Sequence, residues 1–427
     1  MLTAETTNAY LSILREELVP ATGCTEPIAL AYAAARLRVL LGAAPTRIEA
    51  DISGNIIKNV KSVVVPNTGG RKGIAAAVAA GVVAGDAARE LQVIADVPAA
   101  KHAAIGAYAG VTPIDIRCAD TTRLLDIRLT GHAGAHTAAV QIANSHTNIV
   151  FESRDGEVLL QKPFTDSPED NLTDKSVLNV ADILEFADTV DLARVQDLLE
   201  AQLSCNLAIA QEGLAHPWGA QVGAILLAET PDPDAKTEAK AWAAAGSDAR
   251  MSGCEMPVVI LSGSGNQGIT ASVPVARYAQ RLGAPREKLY RALLVSDLVT
   301  IEQKSGIGRL SAYCGAVSAG VGAGAGIAYL LDGGYEAIAH TVVNAVAILS
   351  GTICDGAKPS CAAKIAASVD AGILGYQMYK HRREFKGGEG IVTKGVDNTI
   401  RNIGILASEG MRETDRTILS IMTRPCD

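Results

Sequence analysis

With 427 residues the chain is long enough for two or three domains, each with its own core. Hydrophobic residues make up 48% and charged residues 20%, the balance of a folded globular protein, which excludes a disordered chain. The net charge of −8, with no Lys/Arg block and no basic stripe interleaved with aromatics, argues against nucleic acid as a partner. Aromatic content is only 4%; Ala and Gly fill the deficit, which predicts closely packed helices with small side chains at their contacts. Met1–Tyr10 is polar and lacks a charged region followed by an apolar run, so no signal peptide is expected. Eight cysteines are too sparse for a secreted disulfide scaffold; they fit a reduced cytoplasm, where grouped thiols mean metal or catalysis.

In chain order, Thr6–Val19 has helical spacing, with Tyr10, Leu11, Leu14 and Leu18 on one face and Pro20 as its stop. After the loop 21–27, Ile28–Leu41 reads as an Ala-rich buried helix. Ile48–Val65 reads as extended chain interrupted by Ser53-Gly54-Asn55. Pro66–Gly70 is a turn and Ile74–Gly85 a further Ala-rich helix. Thr122–Thr130 alternates as a strand, and Thr147–Ser153 with Glu157–Gln161 flank Asp155-Gly156 as a hairpin. Lys162–Ser176 is polar and reads as a linker. Beyond it the pattern turns helical: Val180–Leu203, Pro217–Ala228, Ser272–Leu282 (capped by Ser272, with Pro274 in its first turn), Arg286–Gln303 and Ala337–Ser350. Pro231–Lys240 is a charged surface loop or helix start. Ser311–Leu331 carries no charge, yet it is mostly Ala, Gly and Ser, and Gly320, Gly322, Gly324 and Gly326 would weaken an isolated helix. It is expected in the protein interior rather than in a membrane.

The expected fold is therefore α+β: a small α/β domain with a mixed or antiparallel sheet, beside a larger, mainly α-helical, Ala/Gly-rich domain. Residues 1–45 form N-terminal helices packed on the helical domain, 46–165 the α/β domain and 166–427 the helical domain.

Several constellations could carry chemistry. Cys314, Cys354 and Cys361 sit in Gly/Ala-rich sequence, the last two in Cys354-Asp355-Gly356-Ala357-Lys358-Pro359-Ser360-Cys361. Three thiolates can hold three corners of a metal cluster and leave a fourth metal position open. The spacing is neither that of a ferredoxin nor of a zinc finger, so buried structural cysteines remain the alternative. In Thr22-Gly23-Cys24-Thr25-Glu26-Pro27, Cys24 adjoins a helix start, whose dipole favours a thiolate; the plainer reading is a helix-entry loop capped by Thr25. Ser53–Asn59 and Pro66–Gly70 offer amides, hydroxyls and an ammonium suited to a small carboxylate, or serve as ordinary turns. Ser262-Gly263-Ser264-Gly265-Asn266-Gln267-Gly268 could cradle an anion on its N–H groups, or be a flexible connection; it lacks the Gly-Lys-Ser/Thr ending of a phosphate loop. His132, His136 and His146 lack the spacing of a zinc site, and no Gly-x-Ser-x-Gly elbow is present.

Taken together, Gly-Cys-Thr-Glu-Pro, Ser-Gly-Asn-x-x-Lys-Asn, Val-Pro-Asn-Thr-Gly-Gly, Gly-Ser-Gly-Asn-Gln-Gly and Cys-Asp-Gly-Ala-Lys-Pro-x-Cys, in that order, resemble the L-cysteine desulfidase family, which is related to the iron–sulfur L-serine dehydratases. The resemblance covers nearly the whole chain. It implies a [4Fe–4S] cluster on Cys314, Cys354 and Cys361, with Cys426 a candidate fourth ligand from the tail. The related dehydratases carry His-Thr where this chain has Cys24-Thr25. They also pair a helical catalytic domain with a smaller α/β domain.

The implied reaction is β-elimination from L-cysteine to pyruvate, ammonia and sulfide, with L-serine dehydration as the neighbouring possibility. Cys24, Thr25 and Glu26 are the catalytic candidates, Cys24 as the base. Asn55, Lys58, Asn59, Asn67, Thr68, Gly69, Ser264, Asn266 and Gln267 are candidates to hold a small amino-acid substrate. Two other classes compete: a pyridoxal-phosphate lyase with Lys58 as Schiff base and Gly263–Gly268 as phosphate cup, and a non-enzymatic iron–sulfur redox sensor. The expected protein is a cytoplasmic homo-oligomer, a dimer, with neither nucleic acid nor membrane as partner.

Overall fold

The Thr3 side chain accepts from the Thr6 N–H and so caps the first helix, α1 (Ala4–Glu17), whose Tyr10, Leu11, Ile13 and Leu14 are buried. The computed structural model describes every residue except 1, 23–24, 122, 164–171, 309–310 and 424–427. After β1 (Val19–Thr22) comes α2 (Thr25–Leu41), buried along most of its length. Gly81 of α4 (Gly73–Ala84) lets that helix cross α2 at backbone contact, since a Cβ there would lie 2.1 Å from the Ala31 carbonyl oxygen. The remaining elements of this half are β2 (Arg47–Ile52), α3 (Gly54–Val60), α5 (Ala99–Val111), β3 (Ile114–Cys118), β4 (Asp126–Ala133), β5 (His136–Ala143), β6 (Ile149–Arg154) and β7 (Glu157–Gln161). The strands form one mixed sheet in the order β3-β2-β4-β5-β6-β7. Only β2 and β3 run parallel, which requires the long crossover through α3, α4 and α5. Asp155 and Gly156, both at positive φ, make the tight turn between β6 and β7 that the sequence predicts.

The extended reading of Ile48–Val65 holds only as far as Ile52. From Gly54 the chain is helical, because Ile56, Ile57 and Val60 fall on one helical face and all three are buried. Burial outweighs the strand preference of β-branched side chains.

The second half contains α6 (Val180–Thr189), α7 (Gln196–Ala215), α8 (Val222–Ala228), α9 (Ala235–Met251), β8 (Pro257–Ile260), α10 (Gly265–Leu282), α11 (Arg286–Ile307), α12 (Gly315–Leu330), α13 (Tyr335–Leu349), α14 (Cys361–Lys380), α15 (Val396–Ile405) and α16 (Arg412–Thr423). The helix expected over Val180–Leu203 is broken where Asp191 caps a short 3-10 turn. Ser272 does not cap a helix: α10 begins seven residues earlier, and the Ser272 hydroxyl donates to the Gly268 carbonyl at 2.7 Å. Pro274 thus lies inside α10, where it removes one backbone hydrogen bond. The glycine-rich run is helical because α10 needs close approach. A Cβ at Gly268 would lie 2.0 Å from the Val259 carbonyl oxygen of β8.

Ser311–Leu331 is interior, as expected, and α12 forms its centre. Gly320 of α12 faces Ser368 of α14, and Gly324 faces Gly372, at distances that leave no room for a Cβ. Both members of each pair advance by four, so α12 and α14 run parallel and in register. No helix among the described residues is long and apolar enough to cross a membrane.

Two apolar cores result. One holds α1 and the helices of the second half; the other holds α2, the sheet, α3 and α4. The N-terminal segment 1–45 therefore divides between them: α1 packs with the helices and α2 against the sheet. β1 pairs antiparallel with β8, tying the chain between α1 and α2 to the helical half. At the other end, α16 returns to the first half, where Leu419 packs against the sheet core and beside Gly54.

Asp297 of α11 is fully buried and receives a 2.9 Å hydrogen bond from the Gln202 amide of α7. Burial pushes its carboxyl up to about 7. The folded chain thus retains a proton that the unfolded chain releases near pH 4, so this group's contribution falls as pH rises from about 4 to about 7. Asp297→Asn removes that slope. Denaturant unfolding is expected to show D297N gaining on the parent across this window, by at most about 4 kcal/mol; parallel pH profiles would contradict it.

Candidate active site

Cys314 caps the N-terminus of α12, and Cys361 is the first residue of α14. The parallel register of these helices brings the two thiols to one end of the helical core. Cys354 reaches the same place by a short β-like ladder. The Cys354 N–H donates to the Ala312 carbonyl at 2.6 Å, the Cys314 N–H to the Thr352 carbonyl at 3.2 Å, and Tyr313 pairs with Ile353. All three cysteines line a single cavity of about 110 Å³ between the two halves of the molecule.

The cavity's other walls come from helix starts and from α3. Glu26 comes from the first turn of α2, Ser264, Asn266 and Gln267 from the start of α10, and Lys58 and Asn59 from α3. Arg250, Lys304, Ser311 and Tyr313 complete the polar lining. Helix N-termini carry partial positive charge, and three buried cations stand beside them, so the cavity favours an anionic occupant. Asn59 Nδ2 donates to Glu26 Oε1 at 3.2 Å and Thr25 Oγ1 to its Oε2 at 3.3 Å. Arg250 Nη1 donates to Asn266 Oδ1 at 3.3 Å. The buried Gln267 Oε1 and Tyr313 hydroxyl have no hydrogen-bond partner among the described residues, an arrangement that calls for a bound ligand or water.

Glycines set these walls. A Cβ at Gly265 would lie 2.3 Å from Arg250 Nε, one at Gly315 would lie 2.7 Å from the Gln267 amide, and one at Gly356 would lie 2.2 Å from the Lys58 carbonyl oxygen. The glycines of the sequence motifs therefore make room for neighbouring site residues.

Other candidates from the sequence stand apart from the cavity. Asn67 Nδ2 donates to the Ile94 and Ala95 carbonyls, Thr68 donates to the Val65 carbonyl at 2.7 Å, and Gly69 occupies a turn at positive φ. Asn55 is likewise not among the lining residues, and Thr25 acts through Glu26. Cys24 and Cys426 lie outside the described residues. Arg250 and Lys304 are missed by sequence reasoning because each lies in the last turn of a helix, where the helix dipole alone accounts for a cation. His132 and His136 are engaged elsewhere, by Glu49 and Asp155.

Charge around the cysteines is graded. Burial, then the Cys354 sulfur and more weakly that of Cys361, push the Cys314 thiol up to about 12. Burial also raises the Cys361 thiol, against the Lys358 N–H and the ammonium groups of Lys358 and Lys364. Burial opposes ionisation of Asp355, yet its pairing with Lys358 and Lys364 overcomes that and holds its carboxyl at about 2. Thiols this buried give up their protons most readily to a metal. No three His, Cys, Asp or Glu side chains among the described residues converge closely enough to hold a single ion. A polynuclear cluster spreads its thiolates over several irons, and three cysteines around one cavity fit that donor set.

The sequence profile of the serine dehydratase alpha chain family matches residues 88–420. The chain belongs to that family. The matched span includes the three cavity cysteines, Arg250 and Lys304 of this serine dehydratase alpha chain homologue, whereas Glu26, Lys58 and Asn59 precede it. The chain is also 55% identical over 417 residues to UPF0597 protein DSY1109 of Desulfitobacterium hafniense, covering 98% of this chain and 97% of that one. It is 48% identical over 415 residues to a UPF0597 protein of Finegoldia magna, covering 97% and 99% of the two chains, and 44% identical over 420 residues to one of Treponema denticola, covering 97% of each.

Gly356 combines a positive φ of 96° with the contact to the Lys58 carbonyl. Gly356→Ala is expected to destabilise the protein by more than ~2 kcal/mol. Gly351→Ala, where a Cβ would meet nothing within 4 Å, should change stability by less than ~0.5 kcal/mol. Equal melting temperatures for the two variants would contradict this account of the cysteine loop.

Proposed function

We propose that the chain is an iron–sulfur lyase that converts L-cysteine to pyruvate, ammonia and sulfide. The observation that carries this reading is the meeting of three thiols and three buried cations around one small cavity. Cys314, Cys354 and Cys361 would hold a [4Fe–4S] cluster, with Cys426 the candidate for a fourth position. When bound, the cluster supplies a Lewis acid for the departing sulfur.

The rest of the work falls to the chain itself. Lys58, Arg250 and Lys304 bind the substrate carboxylate; Arg250 offers a planar fork and the lysines offer point charges. Asn266 and Gln267 present amide groups to the substrate's ammonium and carboxylate. Glu26, fixed by Asn59 and Thr25, gives the α2 end of the cavity a positioned carboxylate. Cys24, directly before α2 in sequence, is the proposed base for the Cα proton, since a helix start favours a thiolate. Loss of that proton and of the Cβ–S bond forms the Cα=Cβ bond of aminoacrylate. Released aminoacrylate tautomerises and takes up water, giving pyruvate and ammonia.

L-Serine is the second reading, supported by the family's description, with a hydroxyl as leaving group in place of the thiol. Anaerobic reconstitution with iron and sulfide, followed by side-by-side pyruvate assays on L-cysteine and L-serine, separates the two. Pyruvate from L-serine alone would reverse the assignment, and a protein that takes up no iron would end both readings. Replacing Cys314, Cys354 or Cys361 by Ala should deplete iron and cut turnover at least ~100-fold. Cys24→Ala should instead keep its iron and lose ~10²–10⁴-fold in kcat; near-normal turnover would remove Cys24 from the mechanism.

A further inference from the structure

The Lys58 side chain is 3% exposed, and Lys58 lines the cavity from α3. A buried ammonium on a flexible four-carbon stem needs a counter-charge and a fixed direction. Both come from α16. Asp415 Oδ1 lies 2.5 Å from Lys58 Nζ, and the Ser311 carbonyl accepts from the same nitrogen at 3.5 Å. Asp415 is itself held in place. Leu419, one turn further along α16, packs beside Gly54 at the start of α3, and Lys61 donates to the Met422 carbonyl. The neighbouring Glu413–Arg416 pair on the same helix is 78% and 77% exposed and is an ordinary surface pair.

We propose that Asp415 is a positioning residue: it holds the Lys58 ammonium where the carboxylate of a small amino acid meets it. An ammonium has three donors. Asp415 and Ser311 engage two, which leaves one for the ligand. Lys58 then binds a carboxylate as part of a row of alternating charge, carboxylate–ammonium–carboxylate, with the outer member supplied by the protein. This inference rests on the reading of the cavity as an amino-acid site.

Asp415→Asn keeps an acceptor at Lys58 but removes the charge. In reconstituted enzyme, D415N should raise KM for L-cysteine ~10-fold while kcat stays within ~3-fold. Its preference for L-cysteine over L-cysteinamide, which lacks the carboxylate, should shrink by a similar factor. D415E should restore both, and the solvent-facing E413Q should match the parent. A merely structural role would lower the melting temperature and affect acid and amide alike. A folded D415N with parental KM and parental acid/amide preference overturns the proposal.

A second readout does not need turnover. In metal-free protein, acetylation of Lys58 by acetic anhydride, followed by peptide mass spectrometry, should run at least ~5-fold faster in D415N. L-Alanine, which has no leaving group, should protect Lys58 in the parent and not in the variant. If the lyase reading fails, no protein makes pyruvate yet this labelling contrast persists. If the positioning role fails, the contrast is absent whether or not pyruvate forms.

Discussion

Backbone contact between α12 and α14 is the constraint on which the site depends. Glycine at 320, 324 and 372 removes the side chains that would hold these helices apart. Packing in the interior is as dense as a crystal, so an added methyl at such a crossing has nowhere to go. The parallel register fixed there decides more than stability. It sets Cys314 level with Cys361, and the ladder of 312–314 with 352–354 adds the third thiol.

The cavity draws its parts from elements of both cores. The helical core contributes sulfur and the ends of α9, α10 and α11; the sheet core contributes Glu26 and α3. Helix starts and buried cations favour anions beside them, and the protein supplies one of these, Asp415, to Lys58. An anionic occupant suits this lining, and the unpartnered Gln267 and Tyr313 atoms, taken among the described residues, point to a bound ligand or water as well.

The sequence reveals most where one physical signal dominates. The Asp155-Gly156 hairpin follows from the need for positive φ at both residues, and the uncharged run Ser311–Leu331 follows from its lack of any group that water would hold. It misleads where two signals oppose each other. Ile56, Ile57 and Val60 prefer strands, but their common burial makes α3 a helix. Gly265 and Gly268 read as loop, but close approach to Arg250 and Val259 makes them the start of α10. Asn67 and Thr68 offer the right chemistry for a ligand but spend it on backbone carbonyls, Asn67 on those of Ile94 and Ala95 and Thr68 on that of Val65 in its own turn. Arg250 and Lys304 are hidden because a cation at a helix end needs no other explanation, and Asp415 because nothing local marks it as the partner of Lys58.

That pairing has a consequence for how the molecule is built. Lys58 and Asp415 are 357 residues apart in sequence. A ribosome delivers α3 early, and the chain must emerge through Cys314, Cys354 and Cys361 before α16 can arrive. Until then the Lys58 ammonium has no carboxylate from this helix. Closing so long a loop costs entropy that only a formed landing surface can offset. The Lys58–Asp415 pair can therefore form only once nearly the whole chain has been synthesised.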